Sequence, residues 1–178
     1  MKTTVQTCEL PADALLRRYR KRGAYTDCFT ASLSFDVTLE AFIKAFYSTR
    51  LFKLERLVLA RVFSRPSTDM DVARLADGRQ SHFAAWSVEA RNENQLLLCD
   101  YRQRTRSWLM TSRAGAIDSH VSQLYFGSAI TPRNMENAAL AEAAQPGKLL
   151  TALHCRYSVA LLKSAANRLI RVQKQPHR

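Results

Sequence analysis

The residues with the clearest chemical potential in this chain are a carboxylate and a guanidinium, Asp100 and Arg106, on either side of a turn-forming cluster at 102–104. Alternating apolar residues precede the first and follow the second, so both charges interrupt a pattern typical of a buried sheet face. A carboxylate beside an arginine stays ionised, because the positive neighbour stabilises the anion. Such a pair is either a structural ion pair at the rim of a sheet or a polar anchor that orients a ligand in an apolar pocket.

The segment that must position this pair is the run 81–111, which predicts three antiparallel strands joined by two short turns. Pairing the strands across the first turn places Trp86 opposite Asp100. Pairing them across the second turn places Asp100 opposite Arg106. A one-residue slip would move the tryptophans to the other face, so the pattern favours this register. The two pairings predict one face that contains Ala84, Trp86, Val88, Ala90, Leu96, Leu98, Asp100, Arg106, Trp108 and Met110.

Two further strands are predicted from alternating hydrophobicity, at 25–35 and at 121–130. Gly127 in the second of them marks a bulge or a point where another part of the chain approaches closely. The longest helical signal runs over 148–172, where apolar residues recur at three- and four-residue steps. A helix of that length crosses a whole small sheet, so it is the natural cover for the apolar face.

Shorter helices are predicted elsewhere. Thr38 suits the N-cap of a helix that buries Phe42 and Phe46, and Asp69 suits the cap of a short helix that ends at Leu75. A helix is also predicted over 48–62, although its later part fits a strand as well.

The composition is that of a single globular domain spanning 1–178. Hydrophobic residues make up 47% of the 178 residues and charged residues 24%, which allows a full core. The core is predicted at about 25–172, with a loose start at 1–10 and a basic tail at 173–178. The first residues lack the apolar centre of a secretory signal, no run is long enough to span a membrane, and the four cysteines form no CxxC pair. A cytoplasmic protein is therefore expected.

The net charge of +12 raises the question of an anionic partner. The densest basic cluster lies at the end of a predicted helix over 11–22, and the turn at 102–106 is also rich in arginine. Such clusters contact nucleic acid in some proteins and are simply solvated helix faces in others, and an arginine-rich composition alone gives the same total.

Several classes of site have no signature here. The four histidines lack metal-binding spacing, and the five glycines form neither a phosphate loop nor a dinucleotide fingerprint. A nucleophile elbow of the GxSxG type is also missing. The sequence thus predicts no metal and no cofactor, and no feature indicates an oligomeric state.

The order of strand, helix pair, antiparallel meander and long C-terminal helix predicts an α+β fold. Over about 25–172 this order resembles the helix-grip fold of the START and polyketide-cyclase (SRPBCC) superfamily. The resemblance implies a curved antiparallel sheet packed on the long C-terminal helix, with a cavity between them. The stretches 83–86, 104–109 and 126–129 are also similar to uncharacterised bacterial proteins.

On this resemblance, the first functional hypothesis is a domain that binds a hydrophobic small molecule between sheet and helix. His154 and Tyr157 on the last helix are candidates to face the same space. The alternatives are an enzyme of the cyclase, hydrolase or dehydratase type, with Asp100 as general base and Arg106 as oxyanion clamp, or a basic nucleic-acid-binding protein. The predicted ligand-binding residues are Trp86, Leu98, Asp100, Arg106, Trp108 and Tyr157.

Overall fold

The computed structural model describes residues 3–53, 67–113, 120–131 and 148–175. It confirms the predicted α+β class, with a curved, open antiparallel sheet and a long C-terminal helix packed against it. The predictions for 54–66, 114–119, 132–147 and 176–178 lie outside the described residues.

The sheet has seven strands in the order β1-β2-β7-β6-β5-β4-β3. The strands of the run 81–111 form one side of this sheet. The pairing of β2 with β7 joins them to the start of the chain. The short strand β1 was not predicted, because two residues carry no alternating pattern. Residues 82–83 were predicted as the start of one continuous strand, but Ala84, with φ of 52°, separates them from the next strand. The bounds are β1 Gln6–Thr7, β2 Tyr25–Leu33, β3 His82–Phe83, β4 Trp86–Arg91, β5 Gln95–Asp100, β6 Thr105–Arg113 and β7 Ser122–Ile130.

Four helices are described: α1 Arg17–Lys21, α2 Leu39–Tyr47, α3 Asp69–Ala76 and α4 Lys148–Gln173. The predicted cap of α2 is confirmed, since the Thr38 side chain accepts from the backbone N–H of Ala41 at 3.2 Å. The cap of α3 is Thr68 and not Asp69, because Thr68 forms a reciprocal capping box with Asp71. Residues 50–53 are also helical.

The inner face of the sheet, defined here as the face that α4 covers, carries the larger core. Side chains from β2, β5, β6 and β7 meet those of α2, α3 and α4 in one cluster. Burial of these aliphatic and aromatic side chains is the main force that holds the helices to the sheet. The cluster includes Phe29, Leu96, Leu98, Leu109, Leu124, Phe126, Phe46, Leu75, Leu162 and Ala166.

The outer face of the sheet, which is the opposite one, is buried as well. The N-terminal segment 10–24, with α1 near its end, packs its apolar side chains on this face and forms a second core. Leu16 and Trp108 are both fully buried there. The predicted helix over 11–22 is therefore helical only at Arg17–Lys21, and the residues before it follow turns against the sheet.

The observed register corrects the predicted apolar face. Trp86 does lie opposite Asp100, as predicted, and a bulge follows Val88. Across the second turn, however, Cys99 lies opposite Arg106, so the predicted pairing of Asp100 with Arg106 is wrong. The slip is one residue.

The same slip moves Trp108 and Met110, together with Arg106, from the inner to the outer face. The prediction assumed that only one face of the meander needed apolar residues. Since both faces are buried, Trp108 fills the outer core as readily as it would have filled the inner one.

Candidate functional site

A cavity of about 390 Å³ lies between the inner face of the sheet and α4, and it is called the inner cavity below. Aromatic and aliphatic side chains form most of its wall, with Phe46, Phe52, Phe126 and Leu161 all at most 5% exposed. Protein interiors are normally packed without spaces of this size. The inner cavity is not such an enclosed void but a cleft that is partly open to solvent.

Several elements supply the polar groups of the inner cavity. On α4, His154, Ser158 and Leu161 follow one another at four- and three-residue steps, so they share one helix face over about 10 Å. Trp86 enters from the start of β4, and Ser128 enters from β7. Each of α4 and β7 contributes both polar and apolar side chains, since Leu161 and Phe126 also line the cavity.

Two buried polar atoms of the wall have no hydrogen-bond partner in the described part of the chain: the indole Nε1 of Trp86 and the hydroxyl of Ser158. Ser158 is 0% exposed. A buried polar group left unpaired costs about 1–3 kcal/mol, so native proteins rarely leave one without a partner. Their presence in one cavity points to a missing polar partner.

The polar end of the inner cavity adjoins a second space of about 420 Å³. The two spaces share Asp100, Arg102, Thr105 and His154. The exposed side chain of Arg104 also lines the second space. The approach to the inner cavity is therefore polar and bears positive charge.

Asp100 lines the inner cavity, but its chemistry is that of a turn residue. Its Oδ1 accepts from the backbone N–H groups of Arg104 at 2.7 Å and of Thr105 at 2.9 Å. Within this turn Gln103 adopts a left-handed backbone with φ of 58°, which the carboxylate helps to hold. The predicted partner of the Asp100 carboxylate was Arg106, but backbone N–H groups bind this carboxylate instead.

Arg106 finds its carboxylate on the outer face. Its Nε donates to Glu89 Oε2 at 2.7 Å and lies 2.9 Å from the hydroxyl oxygen of Tyr19. Arg18 and Tyr19 also donate to Glu89, and the Arg106 guanidinium lies 4.7 Å from the Tyr19 ring centroid. Burial and the bond to Glu89 raise the pKa of Tyr19. This cluster fastens α1 to the meander.

A third polar cluster joins β2, β7 and α4 beside the cavity. Asp27 Oδ1 accepts from the backbone N–H and from the hydroxyl of Ser128, each at 2.8 Å. His154 Nε2 lies 2.8 Å from the Ser128 hydroxyl and 3.1 Å from Asp27 Oδ2, the latter an ion-pair approach and not a directed hydrogen bond.

The composition of this cluster is that of a catalytic triad, but its geometry is not. In a triad the carboxylate and the nucleophile contact different nitrogens of the imidazole, so that one orients the ring while the other gives up a proton. Here Asp27 and Ser128 contact the same nitrogen of His154, and the serine proton is directed to Asp27. The cluster is suited to holding α4 on the sheet.

Of the six predicted site residues, the structure brings Trp86, Asp100 and Tyr157 together at the inner cavity. Arg106 borders it through the strand, but its guanidinium is bonded on the outer face. Leu98 is fully buried in the inner core, and Trp108 lies in the outer core, where its Nε1 donates to Gln95 Oε1 at 2.9 Å.

Sequence reasoning missed Phe46, Phe126 and Ser158 as cavity residues. The phenylalanines carry only a core signal, which does not distinguish a wall from a filled interior. The spacing of Ser158 four residues after His154 was a usable signal, since it places a hydroxyl on the helix face that meets the sheet.

In the described ranges, no group of three or more histidine, cysteine, aspartate or glutamate side chains is arranged to hold a metal ion. None of the helices described is long and apolar enough to cross a membrane. No protein-family model, curated protein or solved structure matches the chain.

Proposed function

We propose that this protein binds a hydrophobic small molecule in the inner cavity. The observation that carries the proposal is the cavity itself, about 390 Å³ of space with an aromatic wall between sheet and α4. Ligand pockets in proteins are typically about 300–1,000 Å³ and mostly apolar, with a few fixed polar groups. The volume and the lining both suit a compact, largely apolar molecule.

The arrangement of sheet, cavity and covering helix is the one that the helix-grip resemblance led us to expect. We also propose that the chain belongs to the START and polyketide-cyclase (SRPBCC) superfamily, and this architecture is the only support for that proposal. Since one fold carries many functions, the binding hypothesis depends on the cavity residues and not on the fold.

An enzyme on the same fold is the runner-up and has less support. Its general base, Asp100, and its oxyanion clamp, Arg106, lie on opposite faces of the sheet, and Asp100 Oδ1 is occupied by backbone donors. The Ser128 hydroxyl lacks the geometry of an activated nucleophile.

Nucleic-acid binding is the third candidate. Part of the basic cluster is already neutralised, because Arg18 and Arg106 share Glu89, and Arg20 pairs with Glu9. This hypothesis predicts binding that weakens steeply as salt is raised. Failure to bind duplex or single-stranded DNA at low salt would dispose of it.

The proposal is tested by measuring the binding of naphthalene, a compact apolar probe, by equilibrium dialysis. Leu161→Phe adds volume inside the inner cavity and is expected to lower the affinity at least roughly tenfold, since overpacking a filled site costs about 1–3 kcal/mol. Leu169→Phe, on the same helix but outside the cavity wall, is the matched control. Naphthalene that does not bind, or that binds equally to both variants, contradicts the proposal.

A further inference from the structure

We infer that the molecule held in the inner cavity is neutral and carries a carbonyl-type oxygen that accepts hydrogen bonds from Trp86 Nε1 and Ser158 Oγ. The inference rests on the proposed function and adds the chemical class of the ligand. An indole N–H is a donor only, so its missing partner must be an acceptor. A hydroxyl can donate to the same kind of atom, and a carbonyl oxygen has two lone pairs.

The chain satisfies comparable groups elsewhere. Trp108 is the only other tryptophan, and its buried Nε1 donates to Gln95 Oε1 at 2.9 Å. Gln95 is itself nearly fully buried, and its amide also bonds the backbone of Leu15 and Asp13. Trp86, on the inner face, receives no such partner within the described residues.

Ser158 is unusual in the same way. A serine inside a helix can donate back to the carbonyl oxygen four residues earlier, which removes the cost of burying the hydroxyl. Ser158 makes no such bond and is 0% exposed, while it lines the inner cavity. Its hydroxyl is therefore available to an acceptor that the protein does not supply.

The charges around the cavity favour a neutral ligand. Asp100 lines the same wall as Trp86 and lies directly opposite it in the sheet, so an anion at the indole would be repelled. The Arg106 side chain, which is 11% exposed, is bonded to Glu89 on the outer face. Arg102 lines both the inner cavity and the adjoining space, and its exposed side chain donates to the Tyr101 hydroxyl at 2.8 Å, whereas Arg104 lines the adjoining space.

Three probes of one shape separate these possibilities: naphthalene, 2-acetylnaphthalene and 2-naphthoate. We expect the ketone to bind the wild-type protein roughly tenfold more tightly than the hydrocarbon, because one net hydrogen bond is worth about that ratio. Trp86→Phe and Ser158→Ala should each weaken ketone binding about fivefold to tenfold more than they weaken naphthalene binding.

The matched controls are Ser164→Ala, on the same helix outside the cavity wall, and Trp108→Phe, on the outer face. Neither should alter the preference for the ketone. Retained naphthalene binding shows that each variant is folded with the cavity intact.

The outcomes are distinct. A ketone that binds no more tightly than naphthalene, or variants that weaken both probes equally, would overturn the inference while leaving the proposed function standing. Tighter binding of 2-naphthoate than of the ketone would overturn the neutral class. If none of the three probes binds, the proposed function fails and the inference falls with it.

Discussion

At the scale of single residues, two close approaches between strands depend on residue type and on strand pairing to different degrees. Gly127 was predicted as a point of close approach, and this is confirmed, because a Cβ there would lie 2.7 Å from the backbone oxygen of Asp27. Cys8 and Cys28 were treated as isolated, yet their sulfurs lie 3.2 Å apart. The close approach at Gly127 follows from the residue type. The contact between Cys8 and Cys28 depends on the pairing of β1 with β2, and the two residues of β1 are too few to give a sequence pattern.

Gly127→Ala is expected to destabilise the protein by about 1–3 kcal/mol, the usual cost of forcing an extra carbon into a packed site. Its Cβ would also lie 3.0 Å from Leu16 and 3.1 Å from Trp108, so three neighbours must give way. Urea unfolding measures the change. A variant as stable as the parent would contradict the close packing of the outer face.

Cys8 is expected to react with iodoacetamide well before Cys28. The Cys28 thiol stabilises the Cys8 thiolate and lowers the pKa of Cys8, whereas the Cys8 contact and burial raise the pKa of Cys28. A lower pKa means more thiolate at pH 8 and faster alkylation. Mass spectrometry of peptides from briefly labelled protein should show Cys8 modified first, and Cys28→Ala should slow that reaction. Equal rates at the two thiols would speak against the contact.

At the scale of elements, sequence patterns identified the long elements and failed on one register. The bounds of β2, β7 and α4 agree with the predictions within a few residues, because each has a long, consistent period. The slip between β5 and β6 has a physical cause: with apolar cover on both faces, Trp108 and Leu97 satisfy one core while Leu98 and Leu109 satisfy the other. A prediction that assumes one solvent-exposed face cannot detect this register, because both faces of the sheet are buried.

The register is tested by double-mutant cycles on Arg106→Met. Paired with Glu89→Gln, the cycle should give a coupling energy of about 2–3 kcal/mol, because both side chains are largely shielded, at 11% and 23% exposure. Paired with Asp100→Asn, it should give a coupling close to zero. Chemical denaturation supplies the four stabilities in each cycle. The opposite ranking would restore the predicted pairing of Asp100 with Arg106.

At the scale of the whole molecule, the sheet is a central layer with a core on each face. The inner core holds α2, α3 and α4 and contains the inner cavity, and the outer core is closed by the N-terminal segment 10–24. The sequence predicted the helical cover, and a cavity beneath it was implied only by the helix-grip resemblance. It did not predict the second cover, because 10–24 has a short, irregular apolar pattern.

Leu16→Ala tests this two-sided design. Leu16 is as fully buried as Leu162 of α4, so both substitutions to alanine should cost about 2–5 kcal/mol. Thermal unfolding of the two variants should show similar losses of stability. A loss confined to Leu162→Ala would mean that the N-terminal segment contributes little.

The central claim is that the inner cavity accepts an apolar molecule between sheet and α4. It is tested most directly by nuclear Overhauser effects between naphthalene and the protein, recorded on the Trp108→Phe variant so that Trp86 is the only tryptophan. If naphthalene binds in the inner cavity, its protons should show contacts to the Trp86 indole and to the methyl groups of Leu161. Contacts only to outer-face residues such as Leu97, or no contacts at saturating naphthalene, would contradict it.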